Sequence, residues 1–181
     1  MGRTKSAKLG SLVEKFNLEV LRSGKNWEDR QITTEDVNRP GLQLTGFFDY
    51  FGEERLQVIG LVETSYLEGR TAQERRDAFD QLFQYDIPAL IISRGLEPYR
   101  ECMEMAEKHD RTVLRTRETT SEFMSTLIAY LKWYLSPSIT RHGVLVEIYG
   151  EGTLLLGESG IGKSETAIEL VKRGHRLIAD D

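Results

Sequence analysis

One nine-residue stretch, GESGIGKSE from Gly157 to Glu165, constrains the fold of this chain more than any other feature. Gly157 and Gly162 are separated by four residues, and Lys163 and Ser164 follow, which is the spacing of a phosphate-binding loop. Glycines permit backbone conformations that side chains forbid, so several N–H groups can converge on anionic oxygens. The spacing therefore predicts a polyphosphate-binding loop, with Lys163 at the terminal phosphates and the Ser164 hydroxyl at a phosphate-bound magnesium ion.

The segments on both sides of the loop are those that such a loop requires, a strand before it and a helix after it. TLLL precedes the loop, and ETAIELVKRG follows it with apolar residues on one helical face. Glu169 stands four residues before Arg173, a favourable helical ion pair, and Gly174 is a suitable helix end. The loop is therefore predicted to lie at a helix N-terminus, where free amides and the helix dipole favour phosphate.

The stretch GVLVEIYGEGTLLLG alternates apolar residues, turns at its glycines and returns, which predicts a β-hairpin leading into the loop. A two-residue turn would pair Tyr149 with Gly152. Counting on from that pair, His142 lies opposite Ser159, or opposite Gly160 if the turn is longer. Either register predicts that His142 lies beside the loop, where an imidazole that titrates near neutral pH would be functional. A surface or structural role for a lone histidine is the alternative.

After the helix, HRLIADD predicts a strand that ends in two acids, Asp180 and Asp181. In P-loop folds an acid at the end of a neighbouring strand faces the metal and the phosphates. A solvated charge pair is the alternative interpretation. With the loop in place, we expect at least one of the two carboxylates near the transferring phosphoryl group.

Residues 1–134 alternate strands with helices, which predicts an α/β layer. LQVIGLV (56–62) and IPALIIS (87–93) are short apolar runs typical of buried parallel strands. Two pairs have the spacing of a capping box and predict helix starts: Thr71 with Glu74, and Thr119 with Glu122. SPSIT (136–140) interrupts the last helical pattern, and we predict a domain boundary there, with a second domain over 135–181.

Three further features favour structural interpretations. The aromatic residues of GFFDYFGEERL are interpreted as core packing beside a turn, with a contact surface as the alternative. His109 stands at the end of a helical pattern, where a cation suits the helix dipole. Cys102 is the only cysteine and lies in a helical pattern beside methionines, so packing explains it, and a reducing cytoplasm fits a chain without an internal disulfide.

The composition excludes some classes of function. A net charge of −5 argues against a nucleic-acid-binding domain, which would be basic. No apolar run approaches the length of a membrane-spanning helix.

These residues resemble a known family, the bacterial HPr kinase/phosphorylases. RHGVLVEIYGEGTLLLGESGIGKSETAIELVKRGHRLIADD is similar to the opening of that family's kinase domain, and NRPGLQLTGFFDYF, IPALIISRG and the TTSEF helix are similar to its smaller N-terminal domain. The resemblance implies a bifunctional enzyme of carbon catabolite control. Such an enzyme phosphorylates a regulatory serine of HPr, the phosphocarrier of the phosphotransferase system, with ATP or pyrophosphate, and removes that phosphate by phosphorolysis. It also implies a magnesium requirement and a homohexamer.

The resemblance also implies roles for individual residues. His142, Lys163 and Asp181 match the family's active-site positions, and Mg²⁺ is expected on Ser164. Asp181 would act as a general base toward the substrate serine and as an acid in the reverse direction. His142 would either bias the charge of Asp181 or bind the attacking phosphate, and both roles stay open. The nucleotide phosphates are expected on Gly157, Glu158, Ser159, Gly160, Ile161, Gly162, Lys163 and Ser164.

The family's kinase domain continues past this sequence, with a second metal-binding acid and C-terminal helices that meet the substrate. We therefore expect a partial sequence of a longer protein, whose 181 residues alone lack HPr phosphorylation. Two other interpretations stay open. The chain could belong to another P-loop enzyme, such as a small-molecule kinase or NTPase. It could also be a nucleotide-sensing regulatory domain without phosphotransfer.

Overall fold

The fold is seen in a computed structural model that describes residues 5–137 and 142–180. The chain divides into two compact units, Met1–Ser136 and Pro137–Asp181. In the described ranges, no helix has both the length and the apolar character needed to cross a bilayer.

The first unit alternates strands with helices, as the sequence predicts. In chain order its elements are β1 (Ala7–Lys8), α1 (Leu9–Lys15), β2 (Glu19–Arg22), β3 (Gln31–Ile32), β4 (Val37–Asn38), β5 (Leu56–Ile59), α2 (Leu61–Glu68), α3 (Ala72–Gln84), β6 (Leu90–Ile92), α4 (Arg100–Lys108), β7 (Val113–Arg115) and α5 (Thr120–Leu135). Five strands form a sheet in the order β2-β7-β6-β5-β4, and β1 pairs with β3 separately. The strands β4 to β7 are mutually parallel, whereas β2 runs antiparallel at the edge.

The central strands are buried on both faces, which explains their unbroken apolar sequences. Val58 and Ile91 belong to a core cluster that includes residues of α1 and α5, among them Phe123. Ile59 and Ile92 belong to a second cluster that includes residues of α3 and α4. The first unit is therefore an α/β layer structure with a core on each side of its sheet, and the predicted fold class is confirmed.

Both predicted N-cap threonines begin the predicted helices, and the pair Thr71 and Glu74 forms the full capping box. The Thr71 hydroxyl accepts the Glu74 N–H at 3.2 Å, and the Glu74 carboxylate accepts the Thr71 N–H at 2.7 Å. The Thr119 hydroxyl accepts the Glu122 N–H at 3.4 Å at the start of α5. These contacts satisfy N–H groups that the first turn of a helix leaves without partners.

The predicted strand over residues 56–62 is too long, because α2 begins inside it. The strand ends at Ile59, Gly60 is the N-cap of α2, and Leu61 and Val62 are 54% and 69% exposed in the first helical turn. A Cβ atom on Gly60 would overlap the Thr120 hydroxyl oxygen, so this turn depends on the close approach of α5.

The aromatic stretch divides between core and surface. Phe48 stacks on Tyr85 with ring centroids 4.9 Å apart, and Phe51 meets the same ring edge-on at 5.1 Å. Phe47 is 49% exposed and Tyr50 is fully exposed. The core interpretation is correct for Phe48 and Phe51 and wrong for the other two.

The structural interpretations of His109 and Cys102 are confirmed. His109 follows the last residue of α4, and its Nε2 lies 2.6 Å from the Asp80 carboxylate on α3. Cys102 is buried in the α3–α4 side of the core, and burial raises the pKa of its thiol. Cys102 packs between these two helices, and His109 links them through its polar contact with Asp80.

In its described residues, the second unit has a three-stranded sheet and one helix. Its elements are β8 (Gly143–Ile148), β9 (Glu151–Leu156), α6 (Lys163–Lys172) and β10 (Arg176–Ala179). The sheet order is β10-β8-β9, and both outer strands run antiparallel to β8. Val144, Val146 and Ala167 form the buried centre between the sheet and α6. The predicted order of hairpin, loop, helix and strand is confirmed.

Candidate phosphate-binding site

The hairpin that leads into the loop has a two-residue turn, but its register differs from the predicted one. Ile148 pairs with Glu151, so Tyr149 and Gly150 form the turn, with φ of 52° and 86°. The predicted pairing of Tyr149 with Gly152 is therefore wrong. A tight hairpin turn of this type needs left-handed conformations at both central residues, which Tyr149 and Gly150 supply.

The observed register also changes the position of His142. Gly143, the first residue of β8, pairs with Leu156, the last residue of β9. Continuing this register by one step places His142 opposite Gly157, the first residue of the loop, rather than opposite Ser159 or Gly160. His142 is exposed, and its place beside the loop stays a prediction, now opposite Gly157.

The loop conformation requires its glycines. Gly160 and Gly162 have φ of 81° and 97°, in the left-handed region that other residues rarely adopt. A Cβ on Gly157 would lie 2.7 Å from the Ile161 Cγ2 atom, closer than such atoms approach. The three glycines therefore allow residues 157–162 to fold closely over the start of α6.

Lys163 connects the two ends of the loop. Its ammonium group donates to the Gly157 carbonyl at 2.7 Å and to the Glu158 carbonyl at 2.8 Å. Gly162 is the N-cap of α6, so the N–H groups of the first helical turn lie under the loop without helical partners. A cation and several free amides are thus grouped at one place, which suits an anionic ligand.

Thr166 is a contributor to the loop that sequence reasoning missed. Its hydroxyl and its N–H both donate to the Gly162 carbonyl, at 2.8 and 3.0 Å. This contact holds the last loop residue against α6. Its position four residues after the second motif glycine is the signal that could have found it.

The strand order brings three chain segments to one edge of the sheet. Ala179 on β10 pairs with Leu145 on β8, and Leu145 pairs with Leu154 on β9. Because β9 and β10 both run antiparallel to β8, their carboxyl ends and the amino end of β8 share this edge. His142 therefore precedes the middle strand between the loop and Asp180, and neighbouring strands are about 4.8 Å apart. Asp181 lies outside the described residues.

The described residues include no group of three or more His, Cys, Asp or Glu side chains that could hold a metal ion. A magnesium ion bound to a polyphosphate needs fewer protein ligands, because phosphate and water oxygens fill most of its positions. Ser164, exposed in the first turn of α6, fits such a site as a single hydroxyl ligand. Lys163 and Ser164, with the glycines, fit a metal-bound polyphosphate better than a metal alone.

A hairpin, a glycine-bent loop and a helix N-terminus in this order are the opening part of a P-loop domain, and the chain is a P-loop protein with an α/β domain before the loop. Family models identify it further. The model described as HPr Serine kinase N terminus matches residues 8–131, and the HPr Serine kinase C-terminal domain matches residues 133–181. The chain belongs to the HPr serine kinase family.

Curated relatives support this assignment. Three proteins named HPr kinase/phosphorylase are similar to this chain. The one from Caldicellulosiruptor bescii is 51% identical over 96% of this chain and 56% of that protein, and the one from Thermoanaerobacter sp. (strain X514) is 53% identical over 94% of this chain and 56% of that protein. The one from Alkaliphilus metalliredigens is 51% identical over 98% of this chain and 57% of that protein. The chain therefore spans little more than half the length of the curated relatives it matches.

A solved structure of the CBS and DRTGG domains of the regulatory region of Clostridium perfringens pyrophosphatase, complexed with the activator diadenosine tetraphosphate, covers 72% of this chain and 47% of that chain. Its identity is 19% and its TM-score is 0.48, too low to support a conclusion.

Proposed function

We propose that this chain is part of a bifunctional HPr kinase/phosphorylase. The complete protein would transfer a phosphoryl group from ATP or pyrophosphate to a regulatory serine of HPr and would remove it by phosphorolysis. The observation that carries the proposal is a loop shaped for polyphosphate in a chain that shares about half its residues with proteins of that name. Carbon catabolite control in the cytoplasm and a homohexameric assembly belong to the same proposal.

The donor would bind along residues 157–164. The free amides of α6 and of the loop would receive the phosphate oxygens, and Lys163 would exchange its two carbonyl partners for the terminal phosphates. This exchange is favourable because both partners of an ammonium–phosphate contact are charged, whereas a carbonyl acceptor is neutral. Mg²⁺, held by Ser164 together with the phosphates, would neutralise part of the donor's charge.

Asp181 would handle the proton of the substrate serine. In the kinase direction its carboxylate accepts the proton of the serine hydroxyl, the serine oxygen bonds to phosphorus, and ADP, or phosphate when pyrophosphate is the donor, departs. In the phosphorylase direction an oxygen of inorganic phosphate attacks the phosphoserine, Asp181 returns a proton to the serine oxygen, and pyrophosphate forms. Asp180, at the same sheet edge as the loop, supports this assignment because Asp181 follows it directly.

His142 would assist at the same edge in one of two ways. It would bind the attacking phosphate, or it would bias the ionisation of Asp181. His142→Ala separates these roles in the full-length protein. Loss of phosphorolysis with an increased KM for phosphate indicates phosphate binding, whereas equal loss in both directions with a displaced pH profile indicates an effect on Asp181.

The test uses the full-length gene product, HPr, and labelled ATP or pyrophosphate with magnesium. We expect label on wild-type HPr and none on HPr whose regulatory serine is replaced by alanine. Lys163→Ala should reduce both directions by about a hundredfold or more, whereas Lys172→Ala, at the other end of α6, should retain activity. Nucleotide binding without transfer to HPr would refute the proposal and favour a nucleotide-sensing protein.

A further inference from the structure

The loop motif has more acidic than basic side chains. Within GESGIGKSE, the two carboxylates of Glu158 and Glu165 accompany one ammonium, that of Lys163. That ammonium is already engaged by two loop carbonyls. The loop alone therefore compensates little of the charge of a bound polyphosphate.

Glu165 is the acid closest to the helix start. It is the third residue of α6 and is exposed, and its Oε2 atom lies 3.8 Å from the point that a Cβ on Gly162 would occupy. The ion pair described within this segment joins Glu169 to Arg173 and does not include Glu165. Its charge stabilises the positive end of the helix dipole, so it competes with phosphate for the same electrostatic field.

We infer that Glu165 determines which form of polyphosphate the loop accepts. Its carboxylate repels metal-free polyphosphate, and it tolerates the divalent-metal complex because the cation removes two negative charges from the ligand. In this role Glu165 would act through its charge and not as a ligand of the metal. The carboxylate of Glu165 thus makes binding of the phosphoryl donor more dependent on magnesium than the single hydroxyl ligand of Ser164 would make it. This inference rests on the proposed function of the loop.

The test measures the dissociation constant of pyrophosphate for the full-length gene product by calorimetry, in EDTA and in saturating magnesium. The wild type should bind more tightly with magnesium. The ratio to compare is the dissociation constant in EDTA divided by that in magnesium. In Glu165→Gln this ratio should fall about tenfold, because pyrophosphate binds more tightly in EDTA, and the dissociation constant in magnesium should change less than about threefold. Raised salt should shrink the difference between variant and wild type.

Two matched variants control for indirect effects. Glu165→Asp keeps the charge and should keep the wild-type ratio. Glu169→Gln removes a charge one turn further along α6, where Glu169 pairs with Arg173 at 3.1 Å, and should leave the ratio unchanged. The magnesium value in each variant shows whether the loop is intact.

The possible outcomes distinguish a failure of the role of Glu165 from a failure of the proposed function. An unchanged ratio in Glu165→Gln, or an equal fall in Glu169→Gln, overturns the role of Glu165 and leaves the proposed function standing. If the wild type binds pyrophosphate equally well in EDTA and magnesium, the role is also overturned. If the wild type binds pyrophosphate in neither condition, the proposed function fails, and this inference fails with it.

Discussion

Gly60→Ala should destabilise the first unit strongly, because Gly60 lies where β5 ends and α2 and α5 begin. A Cβ at this position would overlap the Thr120 Oγ1 atom and would lie 3.0 Å from the Ser93 Oγ atom and 3.2 Å from the Thr120 Cβ atom. Relief requires Thr120 to rotate away from Ser93, with which it shares a 2.7 Å hydrogen bond. The lost bond costs about 1 kcal/mol, and the residual overpacking adds about 2 kcal/mol.

The double variant tests whether this contact is the cause. Thr120→Ala alone should cost about 1 kcal/mol through the lost hydrogen bond. Gly60→Ala with Thr120→Ala should cost about 2 kcal/mol in total, less than the sum of the single costs, because the overlapping oxygen is gone.

Urea unfolding followed by tryptophan fluorescence measures these costs. Both tryptophans of the chain, Trp27 and Trp133, lie in the first unit, so the signal reports that unit. With a denaturant slope of about 2 kcal/mol per molar, Gly60→Ala should lower the urea midpoint by about 1.5 M. A midpoint within about 0.3 M of wild type, or strictly additive costs, would refute the steric explanation.

Three further predictions concern the first unit. Burial opposes ionisation of Glu63, but contacts with Arg39 and the Gly60 N–H outweigh burial and lower the pKa of the Glu63 carboxyl group. The stabilising contribution of Glu63 is therefore present above pH 4.5 and is lost as the pH falls through the lowered pKa. Glu63→Gln should therefore cost about 1–3 kcal/mol at pH 7 in urea unfolding, and the cost should shrink as the pH falls below 4.5. Because burial raises the pKa of the Cys102 thiol, iodoacetamide should label it only as fast as the protein unfolds, and rapid native labelling would contradict this packing. Thr71→Ala should cost about 1 kcal/mol through the lost cap of α3, whereas Thr71→Ser should retain most of it.

Features fixed by nearby residues could be predicted from the sequence. The caps at Thr71 and Thr119 could be predicted because each threonine stands three residues before its glutamate. The phosphate-binding loop could be predicted because its glycines also have a fixed spacing in the sequence. The early end of β5 could not be predicted in this way, because the need for glycine at position 60 comes from Thr120, a residue distant in sequence that leaves no room for a Cβ atom. Sequence alone does not show which distant segment will approach so closely.

The hairpin register failed for a different reason. The predicted and observed pairings differ by two residues, so both keep the same side chains on the same face of the sheet, and apolar alternation cannot distinguish them. The backbone of Tyr149 decides between them by adopting a positive φ that its residue type does not announce. The position of His142 depended on this choice.

The middle position of β8 has a consequence for how this protein can vary. In the described part of the second unit, β9 and β10 both pair with β8 and not with each other. A register slip of one residue between β8 and β9 would slide the loop by about 3.4 Å relative to Asp180. The pairing that the Tyr149–Gly150 turn sets therefore determines the spacing between the loop and Asp180 at the opposite end of the sheet.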